Sequence, residues 1–304
     1  MRIGVVLLPQ HRWRVDRERW RAVEDWGFDH AWTYDHLAWR SLADEPWLAT
    51  VPLLAAAASV TERVRLGTFV ASPNFRHPVP FAKDVMGLDD VSEGRLLLGL
   101  GSGGTGWDAE VLGAPPSRRE RTERFEEWVA VLDTLLSQPV TEHRGPWYTA
   151  HEARMVPGCV QQPRVPFLVA AQGPRALGVL ARHGQGWITY GPVVDQAAGA
   201  GVAAMEAWWT GLAALVDQAD AVLRAAGRDP STVDRLLSLD GAPVFSLASF
   251  DTLAEGVERA AGLGFTDVVT HWPRAEGVYA GSAEVLAEVA SRLGELQAVR
   301  PAVR

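Results

Sequence analysis

The chain has 304 residues, 47% hydrophobic and 22% charged, the balance of a folded globular protein rather than a disordered one. Lys+Arg is 29 and Asp+Glu is 37, so the formal charge of −8 gives no long-range field to draw nucleic acid or anionic lipid. One cysteine, Cys159, excludes an intrachain disulfide and a cysteine-based metal site, and no stretch approaches the roughly 18 apolar residues of a membrane span.

Apolar runs alternate with amphipathic stretches along the whole chain. Residues 2–8 read as a strand stopped by Pro9, 17–26 as a helix, and 29–34 as a second strand. An apolar helix over 46–60, a strand over 64–71, a helix over 78–91 and a strand over 95–100 follow. The helix over 117–137 opens on Ser117 with Glu120 three residues on, a capping box. Residues 138–166 carry prolines at 139, 146, 157, 163 and 166 and read as an irregular excursion. A strand over 167–171 leads to a helix from Pro174, then a strand over 187–190 and a long helix over 197–226. Strands over 236–240 and 267–272 alternate with helices over 250–263 and 282–296.

Eight strand–helix units without a linker predict one α/β domain over 1–304, a (β/α)8 barrel with an insertion at 138–166. An open doubly wound sheet is the competing arrangement. The start of the chain lacks the long apolar core and cleavage site of a signal peptide, which makes a cytoplasmic protein the expectation.

In a barrel of this kind the chemistry lies just beyond the C-terminal ends of the strands. No His-x-His or His-Glu-x-x-His pattern is present there, so no metal ligands are expected, and paired carboxylates are scarce. Asp35 and His36 follow the second strand. His36 has the side chain that titrates nearest neutrality, and Asp35 can orient it or bond a ring N–H. Gly101, Ser102, Gly103 and Gly104 follow the fourth strand; their small side chains suit a flat ligand approaching the backbone. After the fifth strand, Ala171, Gln172 and Gly173 turn into a helix starting at Pro174, whose free N–H groups suit a phosphate. Arg175 either adds a charged bond there or faces solvent. Trp39, Trp107, Tyr190 and Trp272, with Trp13 and Trp47 nearby, are candidates to wall a substrate pocket. Together these features describe a flat, phosphate-tailed cofactor across the barrel mouth.

Three segments carry a resemblance: TYDHL, the stretch RVRLGTFVASPNFRHPVPFAKDVMGLDDVSEGRLLLGLGSGG, and PRVPFLVAAQGPRALGVLARHGQGWI. They resemble, in order and spacing, the bacterial-luciferase-like flavin and deazaflavin oxidoreductases. The resemblance implies FMN or the deazaflavin F420 at the mouth, a homodimer and a small organic substrate. It implies cofactor contact and proton transfer for Asp35 and His36, and a non-prolyl cis peptide around Phe69 and Val70, with Ser72 touching the cofactor. It aligns the Gly101 to Gly104 loop along the cofactor and Ala171, Gln172 and Gly173 with its phosphate. Two departures argue against a sugar-phosphate substrate. The acid expected directly after the strand-four glycines is replaced by Thr105, with Asp108 coming later, and Lys83 is the only lysine. The pair Asp35-His36 favours F420-dependent hydride transfer. An FMN-dependent monooxygenase is the alternative, and a non-catalytic flavin-binding homologue the minor one.

Overall fold

The side-chain period of two along each strand sorts the apolar residues into two cores. The computed structural model describes residues 1–104, 106–193 and 201–303. In chain order its strands are β1 (Arg2–Val6), β2 (His30–Thr33), β3 (Arg65–Ala71), β4 (Leu96–Leu100), β5 (Val140–Arg144), β6 (Thr149–Arg154), β7 (Phe167–Ala170), β8 (Gly186–Thr189), β9 (Asp234–Ser238) and β10 (Asp267–His271). All but β5 and β6 pair in parallel and close a barrel in the order β1-β10-β9-β8-β7-β4-β3-β2. Val6, Trp32, Phe69, Leu97, Leu168, Ile188, Leu236 and Val269 point inward as one cluster. Their neighbours Val5, Ala31, Leu66, Leu98, Val169 and Val268 point outward into the larger core beneath the helices.

Those helices include α1 (Trp13–Asp25), α2 (Thr50–Ala58), α3 (Pro78–Val91), the short α4 (Trp107–Glu110), α5 (Arg118–Ser137) and α6 (Pro174–His183). They continue with α7 (Val202–Ala225), α8 (Phe250–Gly262), α9 (Ala283–Ser291) and α10 (Leu293–Ala298). The capping box at Ser117 and Glu120 is formed as read. Residues 197–200 of the expected long helix, and Thr105, lie outside the described residues.

The excursion at 138–166 is more regular than its prolines suggest. The strands β5 and β6 pair antiparallel as a hairpin. Pro139 and Pro157 stand outside the two strands and Pro146 stands in the turn, so none removes a donor from the ladder. Glu127 of α5 accepts from the Trp147 and Tyr148 N–H groups and from His143, pinning the turn to the barrel's outer helices.

The bottom of the barrel is closed by polar groups. A Cβ on Gly4 would lie 1.9 Å from the His30 ring, so only glycine leaves room for that histidine inside. Trp32 Nε1 donates to His30 Nδ1 at 2.7 Å, which puts the neutral ring's proton on Nε2, facing Asp267 at 3.1 Å. Arg2 binds both Asp267 oxygens at 2.6 Å and so ties β1 to β10 across the closing seam. Burial alone would raise the Asp267 carboxyl; the hydrogen bonds from His30 and Arg2 overcome it and hold the group well below the usual carboxylate range. A folded-state value below the unfolded one gives stability that is complete above the unfolded value near pH 4 and is lost as the pH falls further. Asp267→Asn should therefore cost about 2 kcal/mol at pH 7, discounted because Arg2 is half exposed. Urea unfolding should show the variant losing less stability than the parent between about pH 4 and pH 2. Parallel acid limbs in the two proteins would refute this role.

Candidate active site

At the upper end of β2 the alternation continues past the last paired residue. Tyr34 turns inward with the inner cluster, and Asp35 turns away beneath the loops. The Asp35 carboxylate, 1% exposed, is held by Arg76 through two 2.6 Å bonds. The Arg76 guanidinium lies over the Phe81 ring of α3 at 4.6 Å and over Phe75 at 5.0 Å. Asp35 and His36 are thus not a pair: adjacent residues on an extended backbone face opposite ways.

His36 finds a different carboxylate. Its Nδ1 bonds Asp108 Oδ2, and Asp108 Oδ1 accepts the Leu37 N–H at 2.6 Å. Asp108 sits on α4, just after the glycine loop, and is 7% exposed against 24% for His36. A carboxylate only accepts, so Nδ1 carries the proton, and Nε2 has no hydrogen-bond partner among the described residues. The His36 carbonyl accepts from Trp47 Nε1 at 2.9 Å, which fixes the backbone of this turn.

Beside it runs a buried polar chain. Asp240 Oδ2 accepts from the His271 N–H at 2.8 Å and pairs with its Nδ1 at 2.7 Å. The His271 Nε2 meets the Tyr34 hydroxyl at 2.8 Å, and that hydroxyl meets the Tyr279 hydroxyl, also at 2.8 Å. Burial, followed by the neighbouring Tyr279 and Tyr190, pushes the Tyr34 phenol well above its ordinary value. Burial pushes Tyr279 up to about 12, so both hydroxyls keep their protons at neutral pH. Trp39, Phe69, Tyr190 and Tyr279 complete the aromatic lining around Tyr34.

The peptide bond between Phe69 and Val70 is cis, and β3 shifts register against β4 between Thr68 and Ala71. The glycine loop packs directly on this segment. A Cβ on Gly101 would lie 2.6 Å from Val70 Cγ2, and one on Gly103 would lie 2.5 Å from Asn74. Ser72 Oγ accepts from the Asn74 N–H at 3.4 Å; Ser102 Oγ donates to the neighbouring Gly103 carbonyl at 3.5 Å. Asn74 is 9% exposed and donates to the Gly104 carbonyl, while its buried Oδ1 has no hydrogen-bond partner among the described residues.

Across the mouth, Trp187 Nε1 holds the Ala171 carbonyl at 2.8 Å and Gln172 Nε2 donates to the Gly191 carbonyl at 2.5 Å. Gly173 caps α6 with no side-chain bond, Pro174 is its first residue, and a Cβ on Gly173 would meet nothing within 4 Å. The N–H groups of Arg175 and Ala176 have no acceptor within the helix. The Arg175 side chain turns away to Glu126 on α5.

Two tryptophans stand apart from the aromatic lining. Trp272 follows the outward register of β10 and stacks on Trp26, the C-cap of α1, at 5.6 Å with Arg19 over its face. Trp107 opens α4 and is 54% exposed. Nothing in the spacing of Asp240, His271 and Tyr279 along the sequence shows that they meet. Only the position of Tyr279 beyond the last strand hinted at the site. Among the described residues no group of three or more His, Cys, Asp or Glu side chains could hold a metal ion.

A (β/α)8 barrel with a carboxylate-held histidine, an aromatic mouth and an open helix N-terminus is a frame built for a flat organic ligand. The model of the luciferase-like monooxygenase family matches residues 1–242, and the chain belongs to that family. It is similar to the F420-dependent glucose-6-phosphate dehydrogenase of Beutenbergia cavernae, 38% identical over 55% of this chain and 49% of that protein. It is also similar to the F420-dependent hydroxymycolic acid dehydrogenase of Mycobacterium tuberculosis, 29% identical over 78% of this chain and 61% of that one. The matched region thus spans about half to three-fifths of these relatives. The fold matches monooxygenase RslO1 from Streptomyces bottropensis with a TM-score of 0.77, at 21% identity over 97% of this chain and 99% of that one. It matches an F420-dependent secondary alcohol dehydrogenase with a TM-score of 0.73, at 17% identity over 89% and 92%. No described helix is long and apolar enough to cross a membrane.

Proposed function

We propose that the protein is an oxidoreductase that moves a hydride between F420 and a small organic substrate, with His36 handling the accompanying proton. The observation that carries this reading is the His36 ring held through Nδ1 by Asp108, its Nε2 free beside an aromatic-lined mouth. The F420 dependence of the two relatives supports the choice of cofactor.

The residues present fit such a group. Gly101 and Gly103 pack their bare backbone on Val70 and Asn74 and present no side chain to a flat ring, and the N-terminus of α6 is open for a phosphate. Val70, Ser72, Gly101, Ser102 and Gly103 would hold the ring, and Ala171, Gln172, Gly173 and Pro174 the phosphate end. Asp35 would serve through Arg76, by fixing the loop after β3 against β2. When bound, F420 supplies the carbon that accepts or gives up the hydride. His36 Nε2 takes the proton from a hydroxyl, or gives it to a carbonyl oxygen. Asp108 keeps the ring in one tautomer and stabilises its charged form. Trp39 and Tyr190 exclude water from the reacting carbon.

Titration of the purified protein with F420 and, separately, with FMN tests the cofactor. Saturable F420 binding is expected; FMN binding with no response to F420 would replace this reading by the flavin monooxygenase one. Gly173→Asp should weaken F420 binding at least about tenfold, because it sets a negative charge where a phosphate approaches. The same change should leave stability unaltered or raise it by about 0.3 kcal/mol, since aspartate caps a helix better than glycine does. Unchanged affinity would remove the phosphate from this corner. We also propose a homodimer, to be checked by light scattering as a mass about twice 33.0 kDa.

A further inference from the structure

The hydrogen-bond chain beside His36 has a direction, and the direction is set from its buried end. Asp240 Oδ1 accepts the Ser246 N–H at 2.9 Å, and Oδ2 accepts the His271 N–H. Asp240 and His271 side chains are each 1% exposed. A carboxylate opposite Nδ1 requires the proton there, which leaves Nε2 of the neutral ring as an acceptor. Tyr34 must then donate its hydroxyl proton to His271 Nε2. With that proton committed, the Tyr279 hydroxyl is the donor in its 2.8 Å bond to Tyr34. The polarity therefore runs from Tyr279 through Tyr34 and His271 to Asp240, and the remaining lone pair of the Tyr279 oxygen is an acceptor with no proton to offer.

Tyr279 is held firmly in this role. Its ring stacks on His271 at 3.8 Å and 9°, with the Trp39 ring stacked at 6.2 Å. Its φ of 60° is a left-handed value that an aromatic residue adopts only where the surroundings impose it. Those surroundings are Arg274 N–H bonded to the Tyr279 carbonyl at 2.9 Å and the Arg274 side chain bound to Glu45 at 2.5 Å. The residue is partly exposed, in the same aromatic cluster as Trp39 and Tyr190, while the His36 ring lies 5.9 Å from Tyr34. Two polar groups therefore stand at the same aromatic cluster: the His36 ring, 5.9 Å from the Tyr34 ring, and the Tyr279 hydroxyl, bonded to the Tyr34 hydroxyl.

We infer that Tyr279 is a specificity-determining residue that selects substrates carrying a second hydrogen-bond donor, a hydroxyl set apart from the carbon that exchanges hydride. This deepens the proposed function by naming a substrate class, hydroxylated alcohols or ketones, and it rests on that reading only for which end reacts. A neutral site that must accept a hydrogen bond discriminates against a ligand of equal size that lacks the donor, because the buried acceptor is then left unpaired.

The test compares 4-hydroxycyclohexanone with 4-fluorocyclohexanone, which share the carbonyl and the size but not the donor. Affinities are measured by calorimetry on the full chain at pH 8, where an ordinary histidine ring is neutral, with and without F420. The hydroxy compound should bind about tenfold more tightly in the parent protein. Tyr279→Phe, which keeps the ring and removes the oxygen, should erase the difference. Tyr34→Phe frees the Tyr279 proton to turn toward the ligand and should also shrink the preference. Equal affinities in the parent, no binding of either compound, or a preference that survives in Tyr279→Phe would overturn the inference. Because the comparison does not require F420, a protein that fails to bind the cofactor but still discriminates would refute the proposed function and leave this subsite standing.

Discussion

Replacing His36 by alanine should lower turnover by about 10²–10⁴-fold while changing cofactor affinity little. The hydroxyl proton of an alcohol must leave when its carbon gives up a hydride, and a carbonyl oxygen must gain one in the reverse direction. His36 Nε2 is the free nitrogen available for this, and water is the slower substitute. The same logic extends to Asp108, which is bonded to His36 Nδ1 and to the Leu37 N–H. Asp108→Asn keeps the shape but can present an N–H to Nδ1, favouring the wrong tautomer, and should fall on the same side by about 10²-fold or more. Steady-state kcat, measured at saturating cofactor alongside a fluorescence titration of the cofactor, separates the two effects. An unchanged kcat in His36→Ala would assign the proton to water or to Tyr190.

Asp35→Ala should destabilise the protein by about 3–5 kcal/mol. Both carboxylate oxygens are bonded to Arg76, and Asp35 is almost wholly buried. Removing it strands a guanidinium that is only 14% exposed between Phe75 and Phe81. Arg76 also approaches Asp84 at 3.7 Å, a contact too long to replace the lost pair. Replacing both partners, as in Asp35→Ala with Arg76→Met, should recover much of the loss, since no charge is then left buried and unpaired. Urea unfolding of the four proteins in this cycle measures the coupling. A loss below about 1 kcal/mol in Asp35→Ala would show that the pair is not a structural clamp, and would return Asp35 to the direct cofactor contact that the resemblance implies.

The strand-to-helix rhythm, with its caps and prolines, was enough to derive the barrel from the sequence. Hydrophobic periodicity is a local property, and here each local preference agrees with the closed sheet. The helix at Pro78–Val91 and the cap at Ser117 were read to the residue, and the glycine loop and the turn at Gly173 were found as strand-end features. Even the hairpin at 140–154 was hidden only by prolines that stand beside its strands. Partner choice was not legible, because it depends on which way a side chain faces and on what the closed barrel brings near it. Asp35 and His36 are neighbours in the chain, yet the period of two sends one to Arg76 and the other to Asp108, 72 residues away. Trp272 was read as a pocket candidate on the same strand-end logic, but one step of register puts it outside the barrel while His271 points in. The contact between Tyr34 and Tyr279 spans 245 residues and exists only because β10 pairs with β1 beside β2. The residues that can react were set by the sequence. Which of them meet was decided by closing the sheet, since closure alone converts distant strand ends into one rim.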